Sequence, residues 1–416
     1  MENQNENALP MRRDIGQMSD FGAPSLKSDT ARCEPVYNCG DGDFALSYSG
    51  VTKEEFHAYI GALAADYRCC AENSIGENRF FTWCPNDVSR GDVFVEWYPA
   101  KGILKSVCAQ RRWLPSATPA PFRSVTHTSF TQPGRRGTEQ NAPGMSYLMQ
   151  LADGRFVVVD GGPYDPKDAD DLLELMKGLM PVTGGASCSD EKPTIAMWIF
   201  SHAHADHMAL AIDFLRRYHE AVNLELVAYN FPDFSRILMS HEAPGGMLDM
   251  HLQFKETVEK YFPGAATWIF HTGQKLALAN AEFEILYTHE DYYPEDFAYG
   301  NDTSSAFRIK AEGKTLMMMG DCDPILCQFM ADVYGRELKS DILQLSHHGF
   351  NGACMDLNQA IDPDICFWAC DKTRFETDKR CLGTAHHYEF NFWLRDESVK
   401  HREHYHSTES HTVLLG

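Results

Sequence analysis

The stretch TIAMWIFS, residues 194–201, is the feature that most limits what this chain can become. Its interior is apolar at every position, so a strand built from it needs cover on both faces. Such a strand belongs inside a layered α/β domain rather than in a sheet with one wet face. The run ends directly in SHAHADH, residues 201–207, which places His202, His204, Asp206 and His207 at its carboxyl end. In extended chain, side chains two apart share a side, so His202 and His204 can grip one ion together. A helical apolar spacing starts at about Asp206, and its first turn aims Asp206 and His207 at a neighbouring position. One loop can therefore serve two ions. Imidazole and carboxylate donors suit Zn²⁺, with Mn or Fe as alternatives.

Three further strand-like runs end in the same chemistry. RFVVVDGG puts Asp160 just past a strand, TLMMMGDCD does so for Asp321, and DILQLSHHGF for His347 and His348. Between such runs lie helical patterns: PKDADDLLELMKGLMP, DHMALAIDFLRRYHE, LDMHLQFKETVEKYF and PILCQFMADVYG. Strands and helices alternate in two halves, which predicts an α/β fold of two packed sheets with helices outside. The preceding chain divides differently. Residues 1–35 are polar and aperiodic, an expected mobile arm. Residues 36–112 read as a small α+β unit. Its helix spans TKEEFHAYIGALAADYRCC, with Thr52 and Glu55 at capping-box spacing. Its aromatics (Phe44, Tyr48, Phe80, Phe81, Trp83, Phe94, Trp97, Tyr98) suit a small core, with a cleft wall or a dimer surface as other uses. The Pro-rich RRWLPSATPAPF is an expected linker into residues 113–416.

Bulk properties narrow the partners. The formal net charge of −22 repels a phosphate backbone, so long nucleic acid is disfavoured. No apolar stretch approaches the ~20 residues of a membrane span, and the first residues carry no secretory core. A cytoplasmic protein without a membrane partner is expected, and a homo-oligomer stays open. Thirteen cysteines, an odd number without a framework of spacings, are expected as reduced thiols.

Together, FVVVDGG, SHAHADH, the Gly320–Asp321 pair and SHHG resemble the metallo-β-lactamase superfamily, with its HxHxDH signature, over about residues 122–416. The segments NDTSSAFRI, MMMGDCD and LSHHGF are similar to the branch holding the hydrolase domain of competence (DNA-uptake) membrane proteins and choline-phosphate esterases. The resemblance implies an αββα sandwich, with the small α+β unit as an N-terminal appendage. It implies that His202 and His204 hold one ion, that Asp206, His207 and His347 hold a second, and that Asp321 bridges them. Asp160 would orient a ligand rather than bind metal. Asp206 would orient the nucleophile, and His348, if not itself the ligand, would stand beside the leaving group. The superfamily often adds a further histidine to the first ion. The matching segment here, GNDTSS, has none, which leaves His271, His289 or a residue of Asn301–Ser305 to complete it, the two histidines being expected more as structural groups.

The expected activity is that of a zinc-dependent, binuclear hydrolase working through a metal-bound hydroxide on a small phosphate ester. The alternatives are a lactone, thioester or β-lactam-type hydrolase on the same site, or a non-catalytic metal-binding protein. Arg135 and Arg136, in the loop 131–145, are candidate partners for a small anionic substrate.

Overall fold

A computed structural model describes residues 23–34, 37–40, 42–87, 89–109, 128–134, 145–180, 192–237, 245–372, 375 and 389–415. The first unit is an antiparallel sheet of β1 (Arg32–Cys33), β2 (Tyr37–Gly40), β3 (Asp43–Ser49), β4 (Tyr67–Ile75), β5 (Asn78–Pro85), β6 (Asp92–Tyr98) and β7 (Ile103–Ala109). Helix α1 (Lys53–Asp66) packs on one face through Phe56, Tyr59 and Leu63, against Trp83, Val95 and Trp97. Its start is the expected capping box, with Thr52 and Glu55 each bonded to the other's backbone.

Three sequence expectations are corrected in this unit. The helix stops at Asp66 rather than running to Cys70, because Tyr67 turns extended and begins β4. Pairing with β5 along that whole strand overrides the local helical pattern. The arm is not structureless throughout: Arg32 and Cys33 pair with Ser49 and Tyr48. The cysteines are not all reduced, since Cys70 and Cys84 form a disulfide with Cα atoms 6.1 Å apart. A register shift between Cys69 and Ala71 brings Cys70 beside Cys84 on the neighbouring strand. The other nine described cysteines are free. Positions 111–122 of the expected linker lie outside the described residues.

Two further sheets form the rest. One contains β8 (Ser129–Gln132), β9 (Tyr147–Gln150), β10 (Phe156–Val159), β11 (Thr194–Ile199), β12 (Asn223–Leu224), β13 (Leu226–Tyr229) and β14 (Ala266–Ile269). The other contains β15 (Lys275–Leu278), β16 (Ala281–Tyr287), β17 (Ala306–Ala311), β18 (Lys314–Met318), β19 (Ile342–Gln344), β20 (Ile365–Trp368) and β21 (Glu403–His406). The last strand, β22 (His411–Leu414), returns to pair with β8. Strands β10, β11, β13 and β14 run parallel, as do β18 through β21.

The layers follow from where the side chains point. Ala196, Met197 and Ile199 of β11 face the other sheet and meet a core with Phe283, Phe307, Leu316 and Phe367. Ile195, Trp198 and Phe200 face outward onto α2 (Pro166–Leu179), α3 (Ala205–Tyr218) and α4 (Gly245–Tyr261). The outer face of the second sheet is covered by α6 (Pro324–Tyr334), α7 (Met355–Ile361) and α8 (Glu389–Arg395), with the one-turn α5 (His289–Tyr292) at its edge. The continuous apolar run is thus buried on both sides, and the architecture is an αββα sandwich. Among the described residues no helix is long and apolar enough to cross a membrane.

Candidate metal centre

The residues of the four motifs sit where parallel strands end. Past β10 the chain turns at Asp160 (φ 53°), past β11 come Ser201 to His207, past β18 comes Asp321, and past β19 come His347 and His348. Open α/β sheets place ligands at these carboxyl ends, because the connecting loops gather there.

The side chains form two groups that share one carboxylate. Asp206, His207, Asp321 and His348 bring one donor atom each within 4.8 Å of one another, and so do His202, His204 and Asp321. His348 Nε2 lies 3.2 Å from both an Asp206 and an Asp321 oxygen. His207 Nε2 lies 3.3 Å from Asp321 Oδ1. His202 Nε2 and His204 Nδ1 face each other at 2.9 Å.

Behind these atoms stands a supporting layer. Asp160 accepts from the Ser201 amide and hydroxyl, each at 2.8 Å, and from His207 Nδ1 at 2.8 Å. Tying down Nδ1 leaves Nε2 of His207 aimed into the cluster. Gln344 holds the turn before Asp321: its Oε1 accepts from the Met319 and Gly320 amides, and its Nε2 donates to the Gly320 carbonyl at 3.1 Å. The Asp321 amide donates to Ser304 Oγ at 3.2 Å. Ser201 and Gln344 escaped the sequence reading, because each acts on a residue from another strand, and Ser304 was read only as one of the candidates in Asn301–Ser305. The Ser that precedes SHAHADH's first histidine was the one available signal.

The second histidine pair departs from expectation. His347, expected as a ligand of the second ion, accepts through Nε2 from Asn301 Nδ2 at 3.1 Å and lies outside both groups. His348, expected beside the leaving group if not itself the ligand, is the member of the pair that falls within the four-residue group. The physical reason is the backbone: both residues are left-handed (φ 49° and 58°), so the chain curls and turns the second imidazole inward. His271 and His289 do not complete the first group. Burial places His271 against Glu290 at 3.0 Å and stacked on Phe94, while His289 bonds Asn230 at 2.9 Å and the Tyr37 hydroxyl at 3.2 Å. From Asn301–Ser305, Asn301 bonds His347 and Ser304 accepts from the Asp321 amide, while Asp302 belongs to neither group. Arg135 and Arg136 lie outside the described residues.

Electrostatics and hydrogen bonding both fit cations. His207 Nε2, Asp321 Oδ1 and His348 Nε2 are buried and approach one another and Asp206 at 3.2–3.3 Å without a well-directed hydrogen bond. Buried donors and acceptors normally find partners, so converging orphans mark a place for another species. Burial works against charge on His207, but Asp321, Asp160 and Asp206 outweigh it and hold its pKa well above the ordinary value. The same contest raises His348 to about 9. Burial and its imidazole neighbours instead push His202 well below, which keeps it neutral and able to ligate. The acidic cluster thus attracts positive charge, and its donor set of imidazoles and carboxylates fits first-row divalent ions.

No family model and no curated protein matches the chain. Solved structures do. CmlA, a diiron β-hydroxylase from Streptomyces venezuelae, is 12% identical with a TM-score of 0.39, over 71% of this chain and 55% of its own. The metallo-β-lactamase fold protein YhfI from Bacillus subtilis is 13% identical with a TM-score of 0.39, over 69% of this chain and 99% of its own. Zn²⁺-bound PqqB from Methylobacterium extorquens is 11% identical with a TM-score of 0.34, over 53% and 72%. The chain therefore spans about half the length of CmlA.

Proposed function

We propose that this centre is the active site of a metal-dependent hydrolase acting on a small phosphate ester. One observation carries the reading: two groups of converging donors, all buried except the part-buried Asp206 and His204, share Asp321, and several of their atoms lack well-directed hydrogen bonds. His202, His204 and Asp321 would hold one ion; Asp206, His207, His348 and Asp321 would hold the other. Zinc suits these donors, with Mn and Fe as alternatives. When bound, such ions acidify a coordinated water toward a pKa of ~7 and polarise an electrophile.

The chain's own groups divide the remaining work. Asp160 fixes the His207 ring through Nδ1. Asp206, whose side chain is 31% exposed, is the cluster carboxylate most open to the cleft and can orient a water and accept its proton. His347 and Asn301 line the rim together, where an N–H can meet a phosphoryl oxygen. Phe200 and Ala203, in the loop after β11, and Met208 of α3 are fully buried and anchor the ligand loop in the core under the helices. The resemblance of NDTSS, GD and SHHG to the branch with choline-phosphate esterases is what favours a phosphate ester over a carboxyl substrate.

The test is turnover of a bis-aryl phosphodiester with added Zn²⁺ or Mn²⁺, run beside nitrocefin and a lactone panel. Metal-dependent phosphodiester cleavage is expected, abolished in a His202→Ala/His204→Ala double variant. Equal rates in that variant, or turnover of the carboxyl substrates alone, would sink the phosphate-ester reading.

A further inference from the structure

One stretch of chain, Thr288–Ser304, joins the metal centre to the N-terminal sheet. At its far end Gly300 backs onto His204 so closely that a Cβ there would overlap the imidazole and Met247 Sδ. Asn301 bonds His347, and Ser304 accepts from the Asp321 amide. The near end is held by the other unit. Lys105 Nζ, from β7, donates to the carbonyls of Glu290 (3.1 Å) and Asp291 (2.6 Å) and lies 3.6 Å from Asp291 Oδ1. The Tyr98 hydroxyl, from β6, donates to Asp291 Oδ1 at 2.9 Å. Between the two ends the stretch is stiff: Phe297 is fully buried and bridges to Ile237, and Asp302 accepts from the Ala298 and Tyr299 amides.

Lys105 is 4% exposed and Tyr98 not at all. Burying an ammonium costs several kcal/mol unless its donors are matched, and here all the matching atoms belong to residues 290–291. Apolar packing alone would glue the units without fixing an orientation. A buried cation gripping two successive carbonyls fixes where that backbone lies.

We propose that Lys105 and Tyr98 are positioning residues for the metal centre. They set the place of Thr288–Ser304, and through Gly300 that stretch holds His204 in the three-donor group. The proposal rests on the metal reading above. Asn73 supplies the control: it joins the same two units, donating to Gly273 and Glu284, and touches nothing in Thr288–Ser304.

The experiment compares full-length wild type, Lys105→Met, the milder Tyr98→Phe, and Asn73→Ala. Each chelator-stripped protein is titrated calorimetrically with Zn²⁺, and amide exchange over residues 298–304 is followed by mass spectrometry. The expected result is two ions on wild type and on Asn73→Ala. For Lys105→Met and Tyr98→Phe, one ion binds as before, the other at least tenfold more weakly, and exchange over 298–304 is faster. Wild-type isotherms and exchange in both Lys105→Met and Tyr98→Phe overturn the positioning role alone. So does an equal loss in Asn73→Ala. A wild type that takes up no ion overturns the reading of the centre and this role with it.

Discussion

On the proposed reading two adjacent histidines divide the labour at the centre, and substitution would separate them. His348→Ala removes a donor of the four-residue group and is expected to lower metal content to one ion per chain. His347→Ala is expected to keep both ions while weakening substrate binding, seen as a raised KM. Elemental analysis of the two variants checks this. If His347→Ala is the one that loses metal, the assignment is reversed. The sequence alone could not choose between them, because both follow the same strand and differ only by a backbone curl stabilised from afar. Asn301 holds His347, and Gly352 leaves room beside its Cβ. The other ligands were legible because each lies within a few residues of an apolar strand end. A second residue-scale case concerns acid stability. Burial opposes charge on Glu284, but Arg308, Asn73 and Lys310 outweigh it and lower its pKa to about 2. A carboxyl depressed on folding stabilises the protein above its unfolded pKa of ~4.5, and that gain is lost as pH falls from there toward ~2. Glu284→Gln should therefore cost about 2 kcal/mol at pH 7 and much less at pH 3, measured by urea unfolding at both.

At the scale of elements, the loops after parallel strands matter more than the strands. The 3₁₀ turn Gly300–Thr303 approaches His204 so closely that only glycine fits at its first position. Gly300→Ala should displace His204 and empty the three-donor group, leaving the four-donor group loaded and the fold's thermal transition within a few degrees of wild type. Zn²⁺ titration gives the stoichiometry. Retention of two ions at wild-type affinity would show that the turn yields instead. Most elements were readable from apolar period and turn residues. Those missed were β1, β2, β15, β21, α5 and α7, none longer than seven residues and so too short for a periodic signal, and β4, whose first residues continue a helical pattern. The early end of α1 was also unreadable, since it is decided by a partner strand rather than by local preference.

For the whole molecule, the interface between the N-terminal sheet and the sandwich is a shared interior. Phe80, Phe94 and Tyr98 turn toward the sandwich, and Phe80 and Tyr98 join a core with Leu286, Tyr287 and Met330. Nothing in residues 36–112 announces this, because faces that meet a distant segment carry the same alternation as faces that meet their own helix. A chain beginning at Thr128 would expose that core and strip Tyr98 and Lys105 from Asp291. It is expected to aggregate on expression, checked by gel filtration. A soluble monomer with full metal content would show the sandwich to be self-sufficient.

Strand direction sets one more property. Strand β22 runs antiparallel to β8, and β8 lies parallel to β10 through the intervening β9. The end of β22 at Leu414 therefore points to the edge of the sandwich opposite the ligands. A surface, dye or carrier tethered there would leave the mouth of the cleft facing free solution, whereas one tethered in the turn at Ser407–Ser410 would sit at the mouth itself.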